Sequence, residues 1–363
     1  MRKLLLILLS MIILTSCSAF DNQANNQEGK DIKKQAVYDA FSNYSSVSNK
    51  SYDKFALPQS IEISEIKNAY MLDCNSPKNS ISNDTVLEIY KAFYGEKYNN
   101  NNVTYDDNDG ILYSAGENTS TYWGYDISLF SDDYYSYETD SAKQYDAFTD
   151  KDESISFRGK TITIQSLSDE INSGLKNILS PFYPGYDIKV ESLSILGDNV
   201  EFTCSLSKDN ISFQYAPSEY LSYDNNNMTY WLFSSVSGIY GINGFKMIQA
   251  SPQNNITDSS TISEIVPIDE AVAILDKELA ENIDFEFTDI RLMYCCLTAQ
   301  PIIDRMHEEK EKQSEEDTEE YNMKTKEYVP MWCFEIQSTP ESISKQYIKI
   351  NAVTGEMFVD MGR

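Results

Sequence analysis

Histidine is almost absent: one residue, His307, in a chain of 363. That excludes multi-His metal sites and makes any Ser-His or Cys-His catalysis depend on His307 alone. Basic charge is also scarce. Twenty-nine Lys and Arg stand against 57 Asp and Glu, a formal net charge of −28. Phosphate contacts need a basic footprint, so this balance disfavours a nucleic-acid binder. No Gly-x-Ser-x-Gly elbow and no phosphate-binding Gly-rich loop occurs. Paired carboxylates could serve glycoside hydrolysis, but with 57 acidic residues nothing singles out a pair. The apolar share of 41% and the aromatic share of 12% are too high for a disordered chain.

The long apolar run that a membrane-spanning helix requires is missing too. Leu4 to Leu14, broken by Ser10, is shorter than the ~20 residues that cross a bilayer. Preceded by Arg2 and Lys3, it suits the apolar region of a signal peptide, residues 1–16. It ends in Leu14-Thr15-Ser16-Cys17, which resembles the bacterial lipobox. In that family the cysteine receives a diacylglyceryl group and becomes the mature N-terminus. The resemblance therefore implies lipid attachment at Cys17 and an extracytoplasmic protein anchored to the cell membrane. Two acyl chains give stable anchoring where one is marginal. Residues 17–54, rich in Asn, Gln, Ser, Asp and Lys, read as a polar tether spanning about 35 Å.

Five cysteines remain beyond Cys17, an odd number that one chain cannot fully pair. Cys295 and Cys296 are adjacent in a strand-like run, where neighbours point to opposite faces. They read as small buried apolar residues, with a bridge from Cys295 or Cys296 to Cys333 as the alternative. Tyr105 to Gly110 looks like a calcium loop until it is aligned. With Gly110 at position six, Tyr105 and Gly116 fall where the EF-hand needs carboxylates, so the match fails. Tyr122, Trp123, Tyr125, Tyr230 and Trp231 are the candidate partner or ligand surface, against the reading that aromatics in strands pack a core. No catalytic residue, metal ligand or cofactor site is singled out.

Hydrophobic periodicity predicts an α+β protein: antiparallel sheets, each packed by a helix, in two or more units. Residues 55–250 form one α+β region, with a second subdomain from about 154. There, caps around Ser82 open a helix that Gly95 stops, and strands are expected at 111–113 and 122–130. Arg158-Gly159-Lys160 turns a hairpin, a helix covers 167–179, and Gly197 turns a second hairpin. Residues 251–263 read as a linker. Residues 264–363 form the last unit, with a helix from Pro267 and strands at 288–297, 328–336 and 347–353. An acidic insertion at 304–327 contains His307 and reads as a solvated arm.

Ile348-Lys349-Ile350-Asn351-Ala352-Val353-Thr354-Gly355-Glu356-Met357 resembles the closing hairpin of PepSY-type domains. Tyr328 to Phe334 looks like the preceding strand of PepSY and YycH/YycI-like extracytoplasmic regulators. The resemblance covers residues 264–360. Asn351 departs from it, standing where that family has an acidic residue, and so does the acidic insertion. Such domains are regulatory modules without an active site. The resemblance thus implies a non-catalytic protein that binds and regulates a protein partner in the envelope. A glycan- or peptide-binding lipoprotein is the alternative, and a carboxylate-dependent hydrolase the third reading.

Overall fold

In the computed structural model of the chain, residues 32–61, 65–75, 81–106, 110–123, 126–134, 142–214, 236–250, 255–280, 284–296, 326–337 and 346–360 are described. Residues 34–363 cluster as one unit. Its helices, among these residues, are α1 (Tyr44–Ser48), α2 (Asn83–Tyr94), α3 (Ile164–Leu179) and α4 (Ile268–Glu278). The first strands are β1 (Gln35–Ala36), β2 (Phe55–Ala56), β3 (Ala69–Asn75), β4 (Val103–Tyr105), β5 (Ile111–Ala115), β6 (Asn118–Tyr122) and β7 (Ile127–Phe130). Then come β8 (Lys143–Asp146), β9 (Ser154–Phe157), β10 (Lys160–Thr163), β11 (Asp187–Leu196), β12 (Asn199–Lys208), β13 (Ile211–Phe213) and β14 (Val236–Gly241). The last are β15 (Gly244–Ala250), β16 (Asn255–Ile262), β17 (Glu264–Ile265), β18 (Phe285–Cys296), β19 (Lys326–Ile336), β20 (Gln346–Asn351) and β21 (Met357–Asp360). The expected α+β class holds, and the sheet is mostly antiparallel.

The ladders form two limbs. The first runs β8, β11, β12, β14, β15, β7, β6, β5, β4, all antiparallel. In the second, β18 pairs with β19, whose far side is shared by β20 and β3. Strand β21 extends β20, and β16 extends β3. The limbs meet at β13: it forms a hairpin with β12, and its Ser212 and Phe213 pair in parallel with Met293 and Tyr294 of β18.

Local signals act as expected where they are short-range. The Ser82 hydroxyl accepts the Thr85 amide hydrogen at the start of α2, and Gly95 ends it at φ 55°. Thr163 caps α3 in the same way through Ser166. That helix starts three residues earlier than its apolar stripe suggests. Leu167, Ile171, Leu175 and Leu179 are buried, and α3 packs on β11. Arg158 and Gly159 both take positive φ in the β9–β10 turn, the two-residue geometry that matches the strand twist.

Long-range pairing overturns three expectations. The stretch through Lys54 is not all tether: β1 pairs with β17, and Val37, Ala40, Phe41, Tyr44 and Val47 are buried. Residues 255–262 are strand β16 and not linker. Residues 122–130 hold the end of β6 and all of β7 instead of one strand, and the Trp123 amide donates to the Asp126 carbonyl between them. The chain therefore interleaves. Strands from 55–75 join those after 255, while 103–250 builds the other limb. The acidic insertion and His307 lie outside the described residues, apart from Lys326 and Glu327 in β19.

Candidate functional site

The first limb is rich in tyrosine, and among the described residues most of them face inward. Tyr90, Tyr94 and Tyr98 from α2 and the turn after it gather on Tyr113 of β5, with Tyr94 stacked at 4.2 Å. An unmet buried hydroxyl costs about 1–3 kcal/mol. Tyr98 leaves its own unmet among the described residues, while the helix tyrosines do not. Tyr90 donates to the Ile111 carbonyl at 2.6 Å and Tyr94 to the Phe130 carbonyl at 2.7 Å. Burial pushes the Tyr94 phenol up to about 12, against the lowering effect of its hydrogen bond with Ser120. Tyr122 belongs to this interior, at 2% exposure. Of the candidate aromatic surface it is therefore core.

Trp123 is different. It follows β6 directly and keeps 44% of its surface exposed. Its ring lies over Gly110: a Cβ there would sit 2.5 Å from Trp123 Cζ3 and 3.2 Å from Asp106 Cβ. Only a glycine leaves that space. Strand β4 pairs with β5 on one side and carries Tyr105, 61% exposed, in a row with Ile111 and Tyr122. Tyr105 was part of the failed calcium match and not of the aromatic set. Its exposure follows from the short strand it ends, which periodicity over three residues does not reveal. Tyr125, Tyr230, Trp231 and Cys17 lie outside the described residues.

A second polar feature sits where the limbs meet. Arg291 of β18 pairs through Nε with Asp289, and its terminal nitrogens reach Glu191 at 3.7 Å and Asp146 at 3.9 Å. Its guanidinium also lies 5.0 Å from the Phe148 ring centre, which Lys189 approaches at 4.1 Å from its own position. Burial works against the charge on Arg291, but Asp289 and Glu191 outweigh it and raise the pKa. The adjoining cleft, lined by Phe41, Ile66, Phe148, Lys189 and Arg291, has a volume of about 30 Å³. That holds about two waters, whereas small-molecule pockets run to ~300 Å³ or more. The charges there satisfy one another. Among the described residues no three His, Cys, Asp or Glu side chains converge as a metal-binding group. No helix among them is long and apolar enough to cross a membrane.

No family model matches the chain, and no curated protein matches it. Among solved structures it is similar to an uncharacterized protein from Eubacterium rectale ATCC 33656, at 13% identity and a TM-score of 0.45, over 85% of this chain and 92% of that one.

Proposed function

We propose that the chain is a lipid-anchored extracytoplasmic protein that binds and regulates a protein partner and does not itself catalyse a reaction. The observation that carries this reading is Trp123, spread over Gly110 at the end of β6 and open to solvent, with Tyr105 of the outer strand β4 separately exposed. Exposed Trp and Tyr are the residue types that anchor protein interfaces. The Leu14-Thr15-Ser16-Cys17 motif supports the anchor, and the likeness of residues 328–334 and 348–357 to PepSY-type regulators supports a regulatory role. The Arg291 cleft, by size and by mutual neutralisation, supports recognition on the surface over binding of a metabolite there.

A photo-crosslinker placed at position 123 in native membranes tests the partner. A discrete protein adduct is expected, absent when the crosslinker is moved to Val359. Loss of the adduct, together with a saturable rise in melting temperature on adding glycans or peptides, would replace this reading with that of a ligand-binding lipoprotein. The anchor is tested separately. Cys17→Ala should release the protein from membranes, and retention would refute lipidation.

A further inference from the structure

The same pattern occurs on two paired strands: Met293-Tyr294-Cys295 on β18 and Met331-Trp332-Cys333 on β19. Alternate residues of a strand share a face, so each tripeptide sets a thioether and a thiol on one side of the sheet. Tyr294 and Trp332 point to the other. The register sets Met293 opposite Met331. Cys295 lies opposite Val329 and Cys333 opposite Arg291, so the cysteines flank the methionine pair, one on each side of it along the strands. Each thiol leans back over its own strand, Cys295 Sγ to the Met293 carbonyl at 3.9 Å and Cys333 Sγ to the Met331 carbonyl at 3.7 Å. The two Sγ atoms lie 3.6 Å apart. All four side chains are buried in one cluster, with Met71 of β3 packed against it.

Thiolates and thioethers are soft donors and select soft ions, Cu(I) first among biological ones. Two thiolates at ~2.3 Å from a tetrahedral ion stand about 3.8 Å apart, so the observed spacing needs little change. Cys333 has the basic Lys349 beside it on β20, while Arg291 beside it on β18 is already paired with Asp289 and Glu191. We propose that Met293, Cys295, Met331 and Cys333 form a binding site for Cu(I). Two thiols release two protons, each thiolate and each thioether gives a lone pair to the ion, and the complex carries one net negative charge. No electron is transferred. The proposal does not depend on the partner-binding reading.

Anaerobic titration of the full chain carrying Cys17→Ala with Cu(I), against a chromophoric Cu(I) chelator, tests it. One tight equivalent is expected, with an ultraviolet thiolate-to-copper band and two protons released. Cys295→Ser with Cys333→Ser should abolish that equivalent. Met293→Leu with Met331→Leu conserves volume, so the fold should persist by circular dichroism while affinity falls about tenfold or more. Cys296→Ser, on the opposite face, should bind as before. Equal affinity in the leucine variant would overturn the proposal and leave a sulfur-rich core. So would displacement of Cu(I) by equimolar Zn(II), or a Cys295–Cys333 disulfide that forms at once in air and abolishes binding.

Discussion

Asn351 stands where the resembled hairpin has an acidic residue, and the structure supplies the reason that asparagine suffices. Its side-chain oxygen accepts the amide hydrogens of Val353 and Thr354, at 2.8 and 3.1 Å. The Gly355 amide donates to the Asn351 carbonyl, with Gly355 at φ 74°. A carboxylate can accept the same two bonds. Asn351→Asp should therefore leave the urea midpoint nearly unchanged, while Asn351→Leu should cost about 2 kcal/mol by stripping two amides of their acceptor. A second residue-scale test concerns Glu170. Burial alone would raise its pKa, but hydrogen bonds from Tyr240 and Arg158 outweigh burial and lower it. A lowered carboxylate contributes stability above its unfolded pKa and loses it as pH falls through the folded one. Glu170→Gln should thus be less stable than the parent at neutral pH, and the gap should close in acid. Denaturant midpoints across pH measure this, and a gap that widens in acid would contradict it.

At the scale of elements, the segment from β1 through α1 shows why composition misleads. Between Gln35 and Ser48 the sequence is polar overall, yet Val37, Ala40, Phe41, Tyr44 and Val47 are enough to bury one face. Phe41 meets Trp332 edge to face at 4.9 Å, and the Ile268 amide at the start of α4 donates to the Ala40 carbonyl. Trp332 is fully buried, and its indole donates to the Val266 carbonyl at 2.8 Å. Phe41→Ala should cost about 3–5 kcal/mol, read from denaturant unfolding, because the cavity would open beneath Trp332. An exposed tether would make that change silent. The edge of the first limb carries another test. Gly110→Ala should displace the Trp123 ring, seen as a shift in its fluorescence, with loss of the crosslink proposed for position 123.

For the whole molecule, the interleaved chain bears on cooperativity. The limbs share the short β13–β18 ladder and the Arg291 cluster, in which β18 meets Asp146 of β8 and Glu191 of β11. The cluster is partly exposed, so removing its one cation leaves three partly solvated carboxylates facing one another, at about 1–3 kcal/mol. Arg291→Leu should weaken the seam and split a single urea transition into two, followed by tyrosine and tryptophan fluorescence. Coincident transitions in that variant would show that the limbs stay coupled without Arg291. The net charge of −28 also reads differently on the fold: at Arg158 and Arg291, the less exposed cations, carboxylates are paired in place.

Helices and hairpins were legible from residues 82–95, 154–179 and 187–206, because caps, turn glycines and apolar stripes act over a few residues. The strands β18, β19 and β20 were legible as apolar runs, but not that β18 and β19 bury both faces, which takes layers from distant segments. The sequence by itself also determined the scarcity of histidine and basic charge, and the signal-like N-terminus. Only the tertiary structure decided that 35–48 is folded, that 255–262 is a strand, and that Tyr122 is core while Trp123 is surface. Those outcomes depend on which distant segment closes over each side chain. Partners such as β1 and β17, or β3 and β16, are separated by well over a hundred residues, and no local pattern encodes which of them will meet.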